Sequence, residues 1–184
     1  MTKITSLALI LGLAACEGTG VQMAPVEALL TAETASAAAS ADVASAQVWV
    51  SRGYLVPGDS NGFVTVFDTP QQFDLLDLAN GVTTALGGAL VPVGTYAQFR
   101  LVVDSAQLTL GGGVTFEDGS TTKTLFVPSG MQTGIKVVFP GGLNVDGATA
   151  IVVTFDVLQN FHFQGPPAGP KSVLFTPTLK ATVS

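Results

Sequence analysis

The sequence is poor in the side chains that usually carry chemistry. It has one cysteine, one histidine and seven Lys and Arg against thirteen Asp and Glu, for a formal net charge of −6. Nucleic-acid phosphates demand clustered Lys and Arg, so so few basic residues argue against nucleic acid as a partner. They argue equally against electrostatic docking on anionic lipid. One His and one Cys cannot supply a zinc-ligand pattern. A lone cysteine makes no intramolecular disulfide, so the core must hold the fold without covalent help. No G-x-S-x-G elbow exists, and no Gly-rich loop leads into a helix, so neither a serine triad nor a phosphate cradle is indicated. Only 11% of residues are charged while 47% are hydrophobic, which leaves a surface of Thr, Ser, Gln, Gly and Asn. An enzyme is not expected from this inventory, nor is a cofactor.

What is present at the N-terminus is more specific. Lys3 gives a positive start, and Ile4 to Leu13 give an apolar run too short to span a bilayer as a helix. Leu13-Ala14-Ala15-Cys16 follows. This is the pattern of a secretory signal peptide. Its terminal cysteine makes it resemble the lipobox of bacterial lipoproteins, with cleavage between Ala15 and Cys16 and acylation of the Cys16 thiol. Each buried methylene contributes about 0.8 kcal/mol, so several acyl chains hold a small protein on a bilayer without a transmembrane helix. Glu17 is not the Asp that resembles an inner-membrane retention signal. The expected location is therefore the cell envelope, at the outer membrane where the cell has two.

Three segments are expected along the chain: a leader at 1–15, a lipidated cysteine and tether at 16–45, and a β-domain at 46–184. Thr31 to Ala46 is mostly Ala, Ser and Thr without an apolar period. It reads as a flexible tether of about 30 Å r.m.s. reach, with room for one strand at Val26 to Thr31; a short surface helix is the alternative. From Gln47 onward, short runs rich in Val, Phe, Leu and Thr are punctuated by Gly and Pro. Ala97, Phe99, Leu101 and Val103 alternate with Tyr96, Gln98 and Arg100, and Ile151, Val153 and Phe155 alternate with Thr154 and Asp156. Further runs are Val48 to Val56, Phe63 to Phe67, Phe73 to Leu78, Ala106 to Leu110, Thr121 to Val127, Gly134 to Phe139 and Ser172 to Val183, the last split by Pro177. Asp118-Gly119, Asp146-Gly147 and Gly111-Gly112-Gly113 suit tight turns. The expected fold is all-β, an antiparallel two-sheet sandwich of Ig-like or transthyretin-like kind.

Candidate site residues are few. His162, in Phe161-His162-Phe163, reads as a polar residue alternating with aromatics at a strand edge rather than as a base or ligand. Ser129 reads as a turn residue. Asp68, Asp74 and Asp77 crowd one stretch, with Asp104 and Asp156 at strand ends or faces. Asp74, Asp77 and Asp156 are the candidates for Ca²⁺, a hard cation that needs several converging oxygens; Asp59, Asn61 and Gly62 imitate a fragment of a calcium loop. Paired carboxylates would also serve glycan hydrolysis if they met in a cleft. Arg100 and Lys136 could pair with Asp74, Asp77 or Asp156. Tyr54 is placed on the face of Val48, Val50 and Val56, with Trp49 and Leu55 opposite.

Taken together, several motifs resemble a family of bacterial lipoproteins built on domain of unknown function 4382. They are Phe73-Asp74-Leu75-Leu76-Asp77-Leu78-Ala79-Asn80-Gly81, Leu86-Gly87, Val91-Pro92-Val93-Gly94-Thr95-Tyr96, Gln98-Phe99-Arg100-Leu101, Val127-Pro128-Ser129-Gly130, Gln132-Thr133-Gly134-Ile135-Lys136 and Phe155-Asp156. The resemblance covers Val26 to Val183. It implies an exported, lipid-anchored all-β domain and transfers no catalytic residue. The chain departs at its opening, where Leu30-Thr31-Ala32-Glu33-Thr34 stands where the family has T-D-A-P. The partners expected are the bilayer, through Cys16, and an envelope protein or glycan; the roles weighed are a binding domain, a structural part of an envelope assembly, and a carboxylate-dependent glycan hydrolase.

Overall fold

The structure is a computed structural model that describes residues 20–33, 43–59, 62–79, 81–127, 133–166 and 169–184. Among the described residues the elements are β1 (Met23–Glu33), β2 (Val43–Pro57), β3 (Val64–Phe67), β4 (Gln71–Asp74), β5 (Thr83–Pro92), β6 (Gly94–Leu110), β7 (Thr122–Leu125), β8 (Ile135–Val145), β9 (Thr149–Asp156), the helical turn α1 (Val157–Asn160), β10 (Phe161–Gln164), β11 (Ser172–Phe175) and β12 (Leu179–Val183). The first sheet has the order β12-β9-β1-β5. The second is built on the long pair β2–β6, with β3 and β4 end to end along β2, and β7 and β8 end to end along β6. A separate two-stranded ribbon, β10–β11, follows α1 and buries Phe161, Val173 and Phe175 in the core. The protein is an all-β sandwich, with Phe99, Phe155, Leu30, Leu55, Leu101 and Ile151 among the side chains fully enclosed between the sheets.

Two expectations change. The strand read at Val26 to Thr31 is present and longer, as β1, so the folded domain begins at Met23 and ahead of residue 46: Ala24, Val26, Ala28, Leu30 and Ala32 are all buried, and this alternation drives β1 into the first sheet. The unusual Leu30 to Glu33 opening does not prevent this, because burial needs only the inward residues of the period. Of the expected tether, 16–19 and 34–42 lie outside the described residues. Second, the sandwich is not wholly antiparallel. β1 and β9 pair parallel from Val26↔Thr149 to Glu33↔Asp156. Both strands start at the same end of the sandwich, and the second sheet supplies the long crossover that a parallel pair requires.

Expected strand limits also shift for local reasons. The runs around 95–103 and 106–110 are one strand of 17 residues. Asp104 is an extra residue in β6, between Trp49↔Ser105 and Val50↔Val103, and Ser51 is an extra residue in β2, between Val50↔Val103 and Arg52↔Val102. The two bulges face each other, and the Ser51 hydroxyl donates to Asp104 Oδ1 at 2.9 Å. Each bulge moves its strand's inward set by one residue: Phe99, Leu101 and Val103 are buried before it on β6, Ala106, Leu108 and Leu110 after it. On β2 the same slip puts Leu55 in the core with Val48 and Val50, contrary to the single alternation expected there. The Phe73 to Leu78 run is a strand only to Asp74, whose carboxylate Oδ1 accepts from Leu76 N at 3.0 Å and turns the chain. β5 has no counterpart among the expected strands. β8 runs on to Val145 past Pro140, with Gly141 and Gly142 at positive φ.

The chain crosses between sheets at the β5–β6 corner. Tyr96 is buried, and its hydroxyl donates to the Pro92 carbonyl at 2.6 Å. This is the arrangement of a tyrosine corner, in which a phenol clamps the backbone a few residues upstream. Burial pushes the Tyr96 phenol pKa up. At the edge where β3 meets β5 the sheets approach closely. A Cβ on Gly87 would stand 2.8 Å from Phe67 Cβ, and one on Gly53 would stand 2.2 Å from Phe67 Cε1 and 2.8 Å from Phe99 Cζ. Glycine at 53 is thus required because the Phe67 and Phe99 rings occupy the space a side chain would need. Gly53→Ala should cost about 1–3 kcal/mol by overpacking, and Tyr96→Phe about 1–2 kcal/mol by leaving the Pro92 carbonyl without its donor. Urea unfolding midpoints of the two variants check both.

Candidate functional site

The candidate site is a small polar cleft at the end of the first sheet where β1 and β9 finish. Glu33, Thr154, Asp156, Gln159, Thr178 and Lys180 line it, around a volume of about 240 Å³. Three neighbouring strands supply its charges. Glu33 and Asp156 are register partners on β1 and β9, and Lys180 on β12 is opposite Thr154. The chain after β9 closes one side. Asp156 has extended backbone (φ −95, ψ 105) and caps α1, its Oδ1 accepting from Gln159 N at 3.1 Å. Asn160, fully buried, accepts at Oδ1 from Thr178 N (2.9 Å) and from the Thr178 hydroxyl (3.1 Å), and its carbonyl accepts from Thr176 N at 2.9 Å. These bonds lock the link into β12 against α1 and hold Thr178 at the cleft wall. With two carboxylates and one ammonium, the cleft suits a small polar or cationic group.

Of the residues singled out from sequence, only Asp156 lines this cleft. Asp74 works as a structural acceptor: its carboxylate takes hydrogen bonds from the Ser45 hydroxyl (2.6 Å), Ala46 N (3.1 Å) and Leu76 N (3.0 Å). Asp77 is exposed in the turn after β4. Among the described residues, no group of three or more His, Cys, Asp or Glu is placed to hold a metal ion, so the structure does not bring Asp74, Asp77 and Asp156 together as a calcium site. Asp104 accepts from Ser51 within the paired bulges, and Asp68 pairs with Arg52 at 3.1 Å on the surface. Asp59 and Gly62 are exposed. His162 is exposed on β10, opposite Leu174, between buried Phe161 and half-buried Phe163. Ala15, Cys16, Asn61 and Ser129 lie outside the described residues.

The basic residues do not meet the acids expected for them. Arg100 and Lys136 are direct cross-strand partners. Arg100 donates instead to the Thr133 carbonyl (3.2 Å) and Gln98 Oε1 (3.2 Å), and its guanidinium is 5.7 Å from the centre of the Phe63 ring. Tyr54 is buried edge-on to Phe63 at 4.7 Å and donates to the Thr133 carbonyl at 2.7 Å, so it offers no open aromatic platform. Lys123 pairs with Asp118, and its ammonium also lies over the Phe116 ring at 5.3 Å. Lys123, together with the Ser120 hydroxyl and backbone N–H, holds the Asp118 carboxyl well below the usual carboxylate range.

Sequence reasoning missed Glu33, Gln159, Asn160, Thr178 and Lys180. Asp156-x-x-Gln159 did carry a signal, since an acid followed three residues later by Gln marks a helix start. Glu33, Asn160 and the Thr178–Lys180 stretch are far apart in sequence and meet only through the tertiary fold.

A family model described as "Domain of unknown function (DUF4382)" matches residues 24–174. The chain belongs to this family. The match begins one residue into β1 and ends within β11, so the family domain includes the first strand. No curated protein and no solved structure matches the chain.

Asp74→Ala should destabilise the domain by about 1–3 kcal/mol, because two backbone N–H groups and a hydroxyl lose their acceptor; thermal unfolding checks it. The Asp118 pair has a definite pH signature. Its folded pKa lies below the unfolded one, so its contribution is complete above the unfolded value near 4 and is lost as pH falls through the lower folded value. An NMR titration of the Asp118 carboxyl carbon should show a depressed midpoint that rises toward the ordinary range in Lys123→Met.

Proposed function

We propose that the protein is an exported lipoprotein, cleaved after Ala15 and acylated at Cys16, whose β-sandwich is a non-enzymatic binding domain of the cell envelope. The observation that carries this reading is Leu13-Ala14-Ala15-Cys16 after a charged start and a short apolar run, followed closely by the first strand at Met23. Glu17 beside the cysteine favours the outer membrane in a cell with two. None of the helices in the described residues is long and apolar enough to cross a membrane, so the acyl group would supply the attachment.

The binding role rests on the cleft of Glu33, Asp156 and Lys180. Its excess of one negative charge and small volume favour a compact polar or cationic group, such as a sugar hydroxyl cluster or an amine on an envelope partner. A hydrolytic role for Asp74 is not supported, since three donors already occupy its carboxylate.

Labelling cells with an alkyne analogue of palmitate tests the anchor. Wild-type protein should take up label and sediment with membranes, whereas Cys16→Ser should remain unlabelled and uncleaved. A Cys16→Ser protein that is processed normally and still sediments would overturn the reading.

A further inference from the structure

The end of the sandwich opposite the polar cleft is apolar in a way that the core does not explain. Val21 is 71% exposed, Met23 49%, Leu90 64% and Val93 37%. These residues adjoin. Met23 is the register partner of Pro92, Pro25 is the partner of Leu90, and Val93 N donates to the Gln22 carbonyl at 2.8 Å. Ala24, Val26 and Val91 alternate with them and point into the core, so Met23, Pro25 and Leu90 share the outer face of the first sheet. Behind Leu90 that face is hollowed into an open concavity of about 700 Å³, where Gly87, Gly88, Ala148 and Ala150 bring little or no side chain and Glu27 places the one charged side chain on its wall, on the side away from Met23. Scattered exposed apolar residues are ordinary, but a contiguous group of them marks an interaction surface.

Charge at this end is one-sided. The segments 20–26, 57–63, 90–96, 141–150 and 182–184 contain no Lys or Arg; the acids there are Asp59 and Asp146, and Glu27 follows directly on β1. An anionic surface is therefore repelled, and an uncharged apolar one fits.

We propose that this corner of the first sheet, formed by Val21, Met23, Pro25, Leu90 and Val93, rests on the lipid bilayer. The proposal rests on the acylation of Cys16 argued above. The chain from Cys16 to Val21, even when fully extended, spans at most about 17 Å. An acyl group seated in the membrane at Cys16 thus holds the Met23 end of β1 within reach of the headgroups. The apolar corner is the part of the domain that the leash delivers there. The acyl chains supply attachment and the corner supplies orientation, which points the cleft of Glu33, Asp156 and Lys180 away from the membrane. The contact is apolar and excludes a dependence on anionic lipid.

The test uses the full-length acylated protein. Leu90→Cys, Val93→Cys and, at the opposite end, Lys171→Cys are each labelled with an environment-sensitive fluorophore. Each is then placed in vesicles of phosphatidylcholine and phosphatidylethanolamine carrying acyl-chain spin labels. All three positions are on the surface, so the fold should survive labelling; circular dichroism checks it. Labels at 90 and 93 should be blue-shifted and quenched several-fold more than the label at 171, with no change on raising salt. Equal quenching at both ends, in protein whose N-terminal peptide has the acylated mass, overturns the orientation and leaves the anchor standing. An N-terminal peptide without acyl mass overturns the anchor and the proposal with it. Quenching at 90 by labels on a second copy, rather than by lipid, assigns the corner to self-association and also overturns the proposal.

Discussion

The position of β1 governs this structure. It is an inner strand of the first sheet, antiparallel to β5 on one side and parallel to β9 on the other. Without it, β5 on one side and the β9–β12 pair on the other have no hydrogen-bonding link, and the inward column of Ala24, Val26, Ala28, Leu30 and Ala32 leaves the core. β1 also sets up the polar cleft, because Glu33 reaches the β9–β12 end only as the last residue of a strand in register with Asp156.

The second sheet depends on a different local device. β2 and β6 are 15 and 17 residues long, and twist accumulates along such a pair. A single bulge would have put one strand's later half out of phase with its partner. Extra residues on both strands, Ser51 and Asp104, shift both together, and the Ser51–Asp104 hydrogen bond satisfies the polar atoms gathered at the bend. The strand can therefore bend while Val48 and Val50 before the bulge, and Leu55 after it, all remain buried.

Much of this fold was legible in the sequence, and the illegible parts have identifiable causes. The alternations at 97–103 and 151–155, the Asp118-Gly119 turn and the Pro177 break each depend on neighbours in the chain, and each appears in the structure. A bulge adds one residue without changing composition, so the phase of β2 beyond Ser51 could not be read. β5 was hidden by Gly87-Gly88, which looks like a loop. The glycines are there because a Cβ on Gly87 would meet Phe67 and one on Gly88 would stand 2.8 Å from the Val26 carbonyl oxygen. The parallel β1–β9 pairing joins segments more than a hundred residues apart, and no local pattern announces it. The cleft was illegible for the same reason: Asp156 was visible as an acid, but its companions Glu33 and Lys180 are brought to it only by strand order.

Composition misled most where β1 ends. The Ala-, Ser- and Thr-rich stretch after Leu30 looks like a spacer between anchor and domain, yet by connectivity it links the end of β1 to the start of β2. Both of those strand ends lie at the cleft end of the sandwich, since Met23 and Pro57 mark the opposite one. A spacer placed there adds nothing to the distance between Cys16 and the domain. With Cys16 acylated as proposed, the leash that remains is short, and a short leash restricts the directions a domain can face far more than a 30 Å coil would. The uneven distribution of side chains then acquires a physical logic. The end nearest Cys16 carries exposed Val21, Met23, Leu90 and Val93 and lacks basic residues, while Lys123, Lys171 and Lys180 gather toward the other end with the polar cleft. A freely tumbling domain would gain nothing from that asymmetry; one held close to lipid by its first strand would have a preferred side to lay down and a preferred side to present.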